Sequence, residues 1–530
     1  MATAFQKNAF QNNAFQIDAA VEHSISAAFA GAGSLSASLT QEMAIAASFQ
    51  GSGALVAVAS LHLPITAAFQ GAGALTAVLS VRLPISAAFQ GAGALTAALS
   101  QRMVIAAAFQ GTGSLSADLV DVSQHPIAAA FAGSGSMTVQ LAQIMAIQAS
   151  FVGAGSLTAV LNAELPISAS FQGAGSLTAR LGVQFPIAAA FQGAGSLTAV
   201  LTQRMAISAA FAGAGALTAV LGVNRPISAS FAGAGALTAS LNQLMAIRAA
   251  FAGTGNLTAA LSQLMGIAAA FQGAGSLSAT LVEFGQLPIS ADFAGSGSMT
   301  VALRQIMAIQ ASFAGAGSLT AVLGVGFPIS AAFQGQGNLS ASLNQLHAIR
   351  ASFAGVGALS AVASLNLPIA AAFAGAGSLA ADLTVAAGGT IHSISAAFAG
   401  AGSLTVSLQQ LMAIEANFAG VGSLTAALNA QLAITAAFQG VGSLAADLFK
   451  VTEHPISAAF AGSGSMTAAL SQLMAIQAQF VGAGALSARL NQRMVIGAAF
   501  AGAGSLQVDI TSTGAGASTD FQQSNFFMMF

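Results

Sequence analysis

The sequence predicts an all-β repeat protein, a β-solenoid of about 24 coils with about 20 residues in each. Three observations predict it: a recurring phenylalanine, a period-two alternation of side-chain character, and the placement of the few charges. Phe29 returns at Phe49, Phe69, Phe89 and Phe109 and the series runs on to Phe500, giving 24 anchors with 19 of their 23 intervals 20 residues long. A fixed period of this size marks units that bury themselves only by stacking on their neighbours. Phe29, Phe49, Phe69, Phe89, Phe109, Phe131, Phe151 and Phe171 open the candidate core ladder.

The alternation is read by taking the Phe as phase zero. After Phe231 the even phases are Gly233, Gly235, Leu237, Ala239, Leu241, Gln243, Met245 and Ile247, while the odd phases include Ala234, Thr238, Ser240, Asn242 and Arg248. One register is mostly apolar and bulky, the other small or polar (Leu244 excepted), as in β-structure with one buried face. The charges test this. Outside the two ends and the inserted turns there are ten Arg and eight acids, and seventeen of these eighteen fall on odd phases. The exception is Arg225, beside Pro226. Unpaired buried charge is costly, so the odd register is the expected outer face.

Interval lengths agree. The steps Phe109 to Phe131, Phe271 to Phe293 and Phe438 to Phe460 are 22 residues, which preserves side-chain parity. The step Phe373 to Phe398 is 25 and contains Gly388-Gly389, able to take an irregular turn. Each insertion falls between the last Leu of one unit and the Ile of the next, the window that also holds the prolines, so this is the expected turn. Ile-x-Ala-x-Phe is then one strand and Leu-x-Ala-x-Leu the other, joined by Gly-x-Gly. That motif resembles a fragment of a phosphate-cradling loop, yet no helix pattern or Lys-Ser/Thr completes one. A tight bend, or close approach of another backbone, is the preferred reading. Twenty-four rungs at about 4.8 Å would span roughly 115 Å. Two rival folds keep the same pattern: an antiparallel meander of strands of about 15 residues, and an intertwined trimeric fibre. A lipid-facing barrel lacks its aromatic girdles here.

Composition narrows the functional classes. Only 5% of the 530 residues are charged, against about 25% in ordinary domains, and net charge is −2. No basic patch for nucleic acid and no polybasic run for an anionic membrane is present. Polar residues and Gly interrupt every apolar run, so no membrane helix is expected. Cysteine is absent, which removes disulfides and thiolate metal sites. Residues 1–21 lack the order of a secretory signal.

The two ends differ from the body. Residues 1–20 carry Ala4-Phe5-Gln6, Ala9-Phe10-Gln11 and Ala14-Phe15-Gln16 every five residues, a period of neither helix nor strand. Phe5, Phe10 and Phe15 are candidate docking residues of an N-terminal arm. Residues 21–510 form the repeat body, and 511–530 a polar then aromatic tail or cap with Phe526, Phe527 and Phe530 as candidate contacts. The segment Phe-Ala-Gly-Ser-Gly-Ser-Met-Thr recurs at 131–138, 293–300 and 460–467, eight repeats apart, as if blocks of eight had been duplicated.

The Asn-Ala-Phe-Gln motif at 8–11 and 13–16 resembles the start of many tailed-bacteriophage and prophage virion proteins. The Ile-Ser-Ala-x-Phe-x-Gly-x-Gly-x-Leu-x-Ala units are similar to repeats in phage tail proteins. The resemblance implies a non-enzymatic tail or fibre component in the virion, made in the host cytoplasm, with other virion proteins or copies of itself as partners, and it carries no functional residue across. Other classes remain: a surface- or ice-binding solenoid with Ser/Thr rows, and an extracellular adhesin or filament.

Chemistry is sparse. The histidines, at 23, 62, 125, 347, 392 and 454, lack partners at metal-ligand spacing, and no metal or cofactor is expected. Asp118, Asp382, Asp447 and Asp509 share one outward phase with Arg180 and Arg489, but many rungs separate the acids, so no catalytic carboxylate pair is implied. No nucleophile elbow appears.

Overall fold

The structure is a computed structural model. It describes residues 14–19 and 24–510, except for a connection of three to eight residues before each new coil, from 40–43 to 491–494. The described residues form 49 β-strands and no helix. They fall into two compact units, Met1–Ser262 and Gln263–Phe530, each of which is a parallel β-solenoid.

A coil consists of two strands. In the first, β1 (Ala14–Ala19) precedes β2 (Ile25–Phe29) and β3 (Gly33–Leu39), with the bend at Ala30 to Ala32 between the last two. Each strand pairs in parallel with its counterpart one coil on: Ile25 with Ile45, Phe29 with Phe49, Leu35 with Leu55. Two parallel sheets result in each unit, a Phe sheet of Ile-x-Ala-x-Phe strands and a Leu sheet of Gly-x-Leu-x-Ala-x-Leu strands. The meander is thereby excluded, because neighbours in a meander run antiparallel. The intertwined fibre is excluded too, since each coil pairs with the next coil of the same chain.

Side-chain parity does the sorting. In the Phe sheet, strands such as Ile167–Phe171 and Ile227–Phe231 alternate buried and exposed from end to end. Ile, Ala and Phe point inward from one sheet and Leu and Ala from the other; Ile167, Phe171 and Ala179 are fully buried. The ten charged side chains that the structure describes within the coils are all exposed: Asp118, Arg180, Arg248, Asp292, Arg350, Asp382, Glu415, Asp447, Arg489 and Asp509. Arg82, Arg102, Glu164 and Arg204 lie outside the described residues.

The irregular intervals leave the register intact. Phe109 pairs with Phe131, Phe271 with Phe293 and Phe438 with Phe460 across 22-residue steps. The 25-residue step also closes in register, Ile369 on Ile394 and Phe373 on Phe398. The extra residues are therefore confined to the connections. All ten prolines precede the Ile of a coil. There a proline offers only its carbonyl, which the preceding coil uses: Ile45 N–H donates to Pro64 O at 2.9 Å and Ile147 N–H to Pro166 O at 3.0 Å.

The two glycines of the bend serve different ends. A Cβ on Gly111 would sit 2.5 Å from the carbonyl oxygen of Gly91, one coil back. A Cβ on Gly113 would sit 2.5 Å from Cδ1 of Phe109 in the same coil. Neither backbone is left-handed, so glycine is needed for space and not for φ. The bends are hydrogen-bonded from coil to coil: Gln110 N–H donates to Phe89 O and Gly93 N–H to Thr112 O, both at 2.8 Å. Gly111→Ala pushes against backbone that cannot shift without breaking this ladder. It is expected to cost about 2–3 kcal/mol in urea unfolding, while Thr112→Ala, at the exposed position between the glycines, stays within about 0.5 kcal/mol.

Candidate functional surfaces

The interior is filled by its own ladders. Phe29, Phe49, Phe69, Phe89, Phe109, Phe131, Phe151 and Phe171 are buried and stacked ring on ring, with centroids 4.7–4.8 Å apart. The same stack runs from Phe271 to Phe500 in the second unit. These rings are buried, so among the described residues it is the outer faces that are open to a partner.

Among the docking residues read from the sequence, Phe5, Phe10, Phe526, Phe527 and Phe530 lie outside the described residues. Phe15 does not sit in an irregular arm. It belongs to β1, which extends the Leu sheet by one strand and pairs Phe15 with Leu35, Ile17 with Ala37 and Ala19 with Leu39. The five-residue motif masks a short period-two run, Phe15-x-Ile17-x-Ala19, that shares its parity with Leu35 and Ala37 of β3.

The outer Leu sheet carries a hydroxyl row. Thr138, Thr158, Thr178, Thr198, Thr218, Thr238 and Thr258 occupy equivalent positions in seven consecutive coils and pair in register. All but Thr158, which is half-buried, are exposed. Two positions further along each strand, the equivalent column holds Asp118, Arg180, Asp382, Asp447, Arg489 and Asp509. The acids there stand several coils apart. Arg489 and Asp509, on adjacent coils, come within 3.9 Å, but both are well exposed and contribute little.

The outer Phe sheet differs between the units. In Met1–Ser262 it bears a shallow trough of about 880 Å³ crossing eight coils, from Thr66 to Ala210, floored by Ala and Ser. In Gln263–Phe530 the matching columns carry Asp292, Arg350 and Glu415, and Ser312 Oγ donates to Asp292 Oδ1 at 2.5 Å between coils.

Among the described residues no three His, Cys, Asp or Glu side chains gather as a metal site, and no helix is long and apolar enough to cross a membrane. The histidines lie outside the described residues except His392, whose backbone pairs with Met412. No known protein family, curated protein or solved structure matches the chain.

Proposed function

We propose that the chain is a non-enzymatic structural protein of a phage virion, an elongated tail or fibre component that assembles with other virion proteins or with copies of itself. The observation that supports this best is the interior: coil after coil is closed by the same Phe, Leu and Ile contacts, so the sequence is spent on a stiff body. The sparse outer charge and the phage-like Asn-Ala-Phe-Gln motif point the same way. Peptides of this chain are expected in purified particles, and antibody to it is expected to label the tail in electron micrographs. Particles that lack the protein would overturn the reading.

A second reading, a surface- or ice-binding solenoid, is favoured by one feature, the Thr row from Thr138 to Thr258 at coil spacing. It requires thermal hysteresis in dilute solution, abolished by Thr198→Asp and Thr218→Asp together.

A further inference from the structure

We propose that the outer face of the Phe sheet in the Met1–Ser262 unit is a homotypic docking surface, covered by the same face of a second copy of this chain. The proposal rests on the structural reading above and specifies the surface through which copies meet.

Charge comes first. From Ile25–Phe29 to Ile227–Phe231, eleven coils each point two side chains outward from this sheet, and every one is Ala, Ser, Thr or Gln. The same columns elsewhere accept Arg248, Asp292, Arg350 and Glu415, all exposed. The fold therefore tolerates charge in these columns, and its exclusion over eleven coils belongs to this patch. An uncharged face offers nothing to nucleic acid or to an anionic bilayer, and it does not repel its own copy.

The second observation is flatness. Rings in contact are about 3.5–4.0 Å apart, so a stack repeating at 4.8 Å must be inclined and offset. In an inclined stack, any twist between coils opens an angle between successive ring planes. From Phe49 to Phe251 those angles are only 1–3°. Ordinary sheets twist by roughly 20–25° per strand, and untwisted ones are held flat by stacking or by side-chain ladders such as this Phe stack, so the face is flat before any partner arrives and a flat partner can lie along all eleven coils.

A second copy of this chain fits the face in both area and pitch. Ten steps of about 4.8 Å and five-residue strands of about 16 Å give a face of about 770 Å². This is close to the roughly 800 Å² per partner of a standard interface. A second copy presents the same 4.8 Å pitch, so the small side chains of the two faces can interleave in a dry, isologous contact.

The test is sedimentation of the full chain. The wild type is expected to dimerise at micromolar concentration. The double variant Ser168→Arg, Ser208→Arg is expected to weaken the dimer at least 100-fold with an unchanged circular dichroism spectrum, since Arg248 and Arg350 already occupy that column. The matched variant Ser395→Arg, Thr435→Arg in the other unit is expected to leave it intact. The chain has no cysteine, so single Ala130→Cys, near the middle of the face, should give a disulfide-linked dimer under copper-phenanthroline oxidation. Thr198→Cys on the Leu sheet should not. A monomeric wild type, or a dimer indifferent to the Ser168 and Ser208 changes, overturns the proposal. Neither result bears on whether the protein is found in particles, which decides the virion reading separately.

Discussion

Ala219→Arg is expected to cost on the order of 5 kcal/mol and to unfold the coils around it, while Val220→Arg, one residue along the same strand, changes stability by less than about 0.5 kcal/mol. Ala219 is 1% exposed and Val220 46%. Position 219 faces the interior between Ala199 and Ala239, where a guanidinium finds neither water nor a counter-charge. Position 220 lies between Val200 and Ser240 on the outer face, in the column that already holds Arg180. Urea titrations of the two variants, followed by circular dichroism, measure the contrast. Equal behaviour would mean that the alternation does not sort inside from outside.

Phe151→Ala carries the second large effect. Its ring is fully buried and stacked on both sides, 4.7 Å from Phe131 and 4.8 Å from Phe171. Truncation removes the ring's transfer energy and leaves a cavity that the stiff neighbouring coils cannot fill, a loss of about 3–5 kcal/mol. Phe500→Ala should cost about half as much or less. That ring stacks only on Phe480 among the described contacts, and its strand, Val495–Phe500, is nowhere fully buried. Because each coil touches only its neighbours, the mid-stack change should loosen hydrogen-exchange protection locally, around 131–171, before the rest of the unit. Equal costs for the two variants would contradict a stack sustained by neighbours.

Much of this architecture is legible in the sequence, because parity in a strand is unforgiving. The even placement of Phe, Leu and Ile, the odd placement of the charges and the 22-residue steps each depend on which side of a strand a residue occupies. The coils that the structure describes follow them. Other features are set by neighbours one coil away, and a single repeat does not reveal them. Gly111 and Gly113 look equivalent in the sequence, yet one makes room for the backbone of the preceding coil and the other for the ring of its own Phe109. β1 was hidden because the Ala-Phe-Gln motif imposes a period of five over Phe15, Ile17 and Ala19. The uncharged stretch of eleven coils in the first unit is present in the sequence only as an absence, visible once the columns are aligned.

The lack of twist has a consequence for how such a chain can change its length. In a sheet turning by about 22° per strand, eight added coils would swing everything beyond them through about 180°. With successive ring planes only 1–3° apart the heading alters little from coil to coil, so within a unit the rows downstream of an added block still look much the same way. Copying a stretch of the gene then lengthens the body without re-aiming its surfaces. Such tolerance suits a sequence whose Ser-Gly-Ser-Met-Thr marker returns every eight repeats.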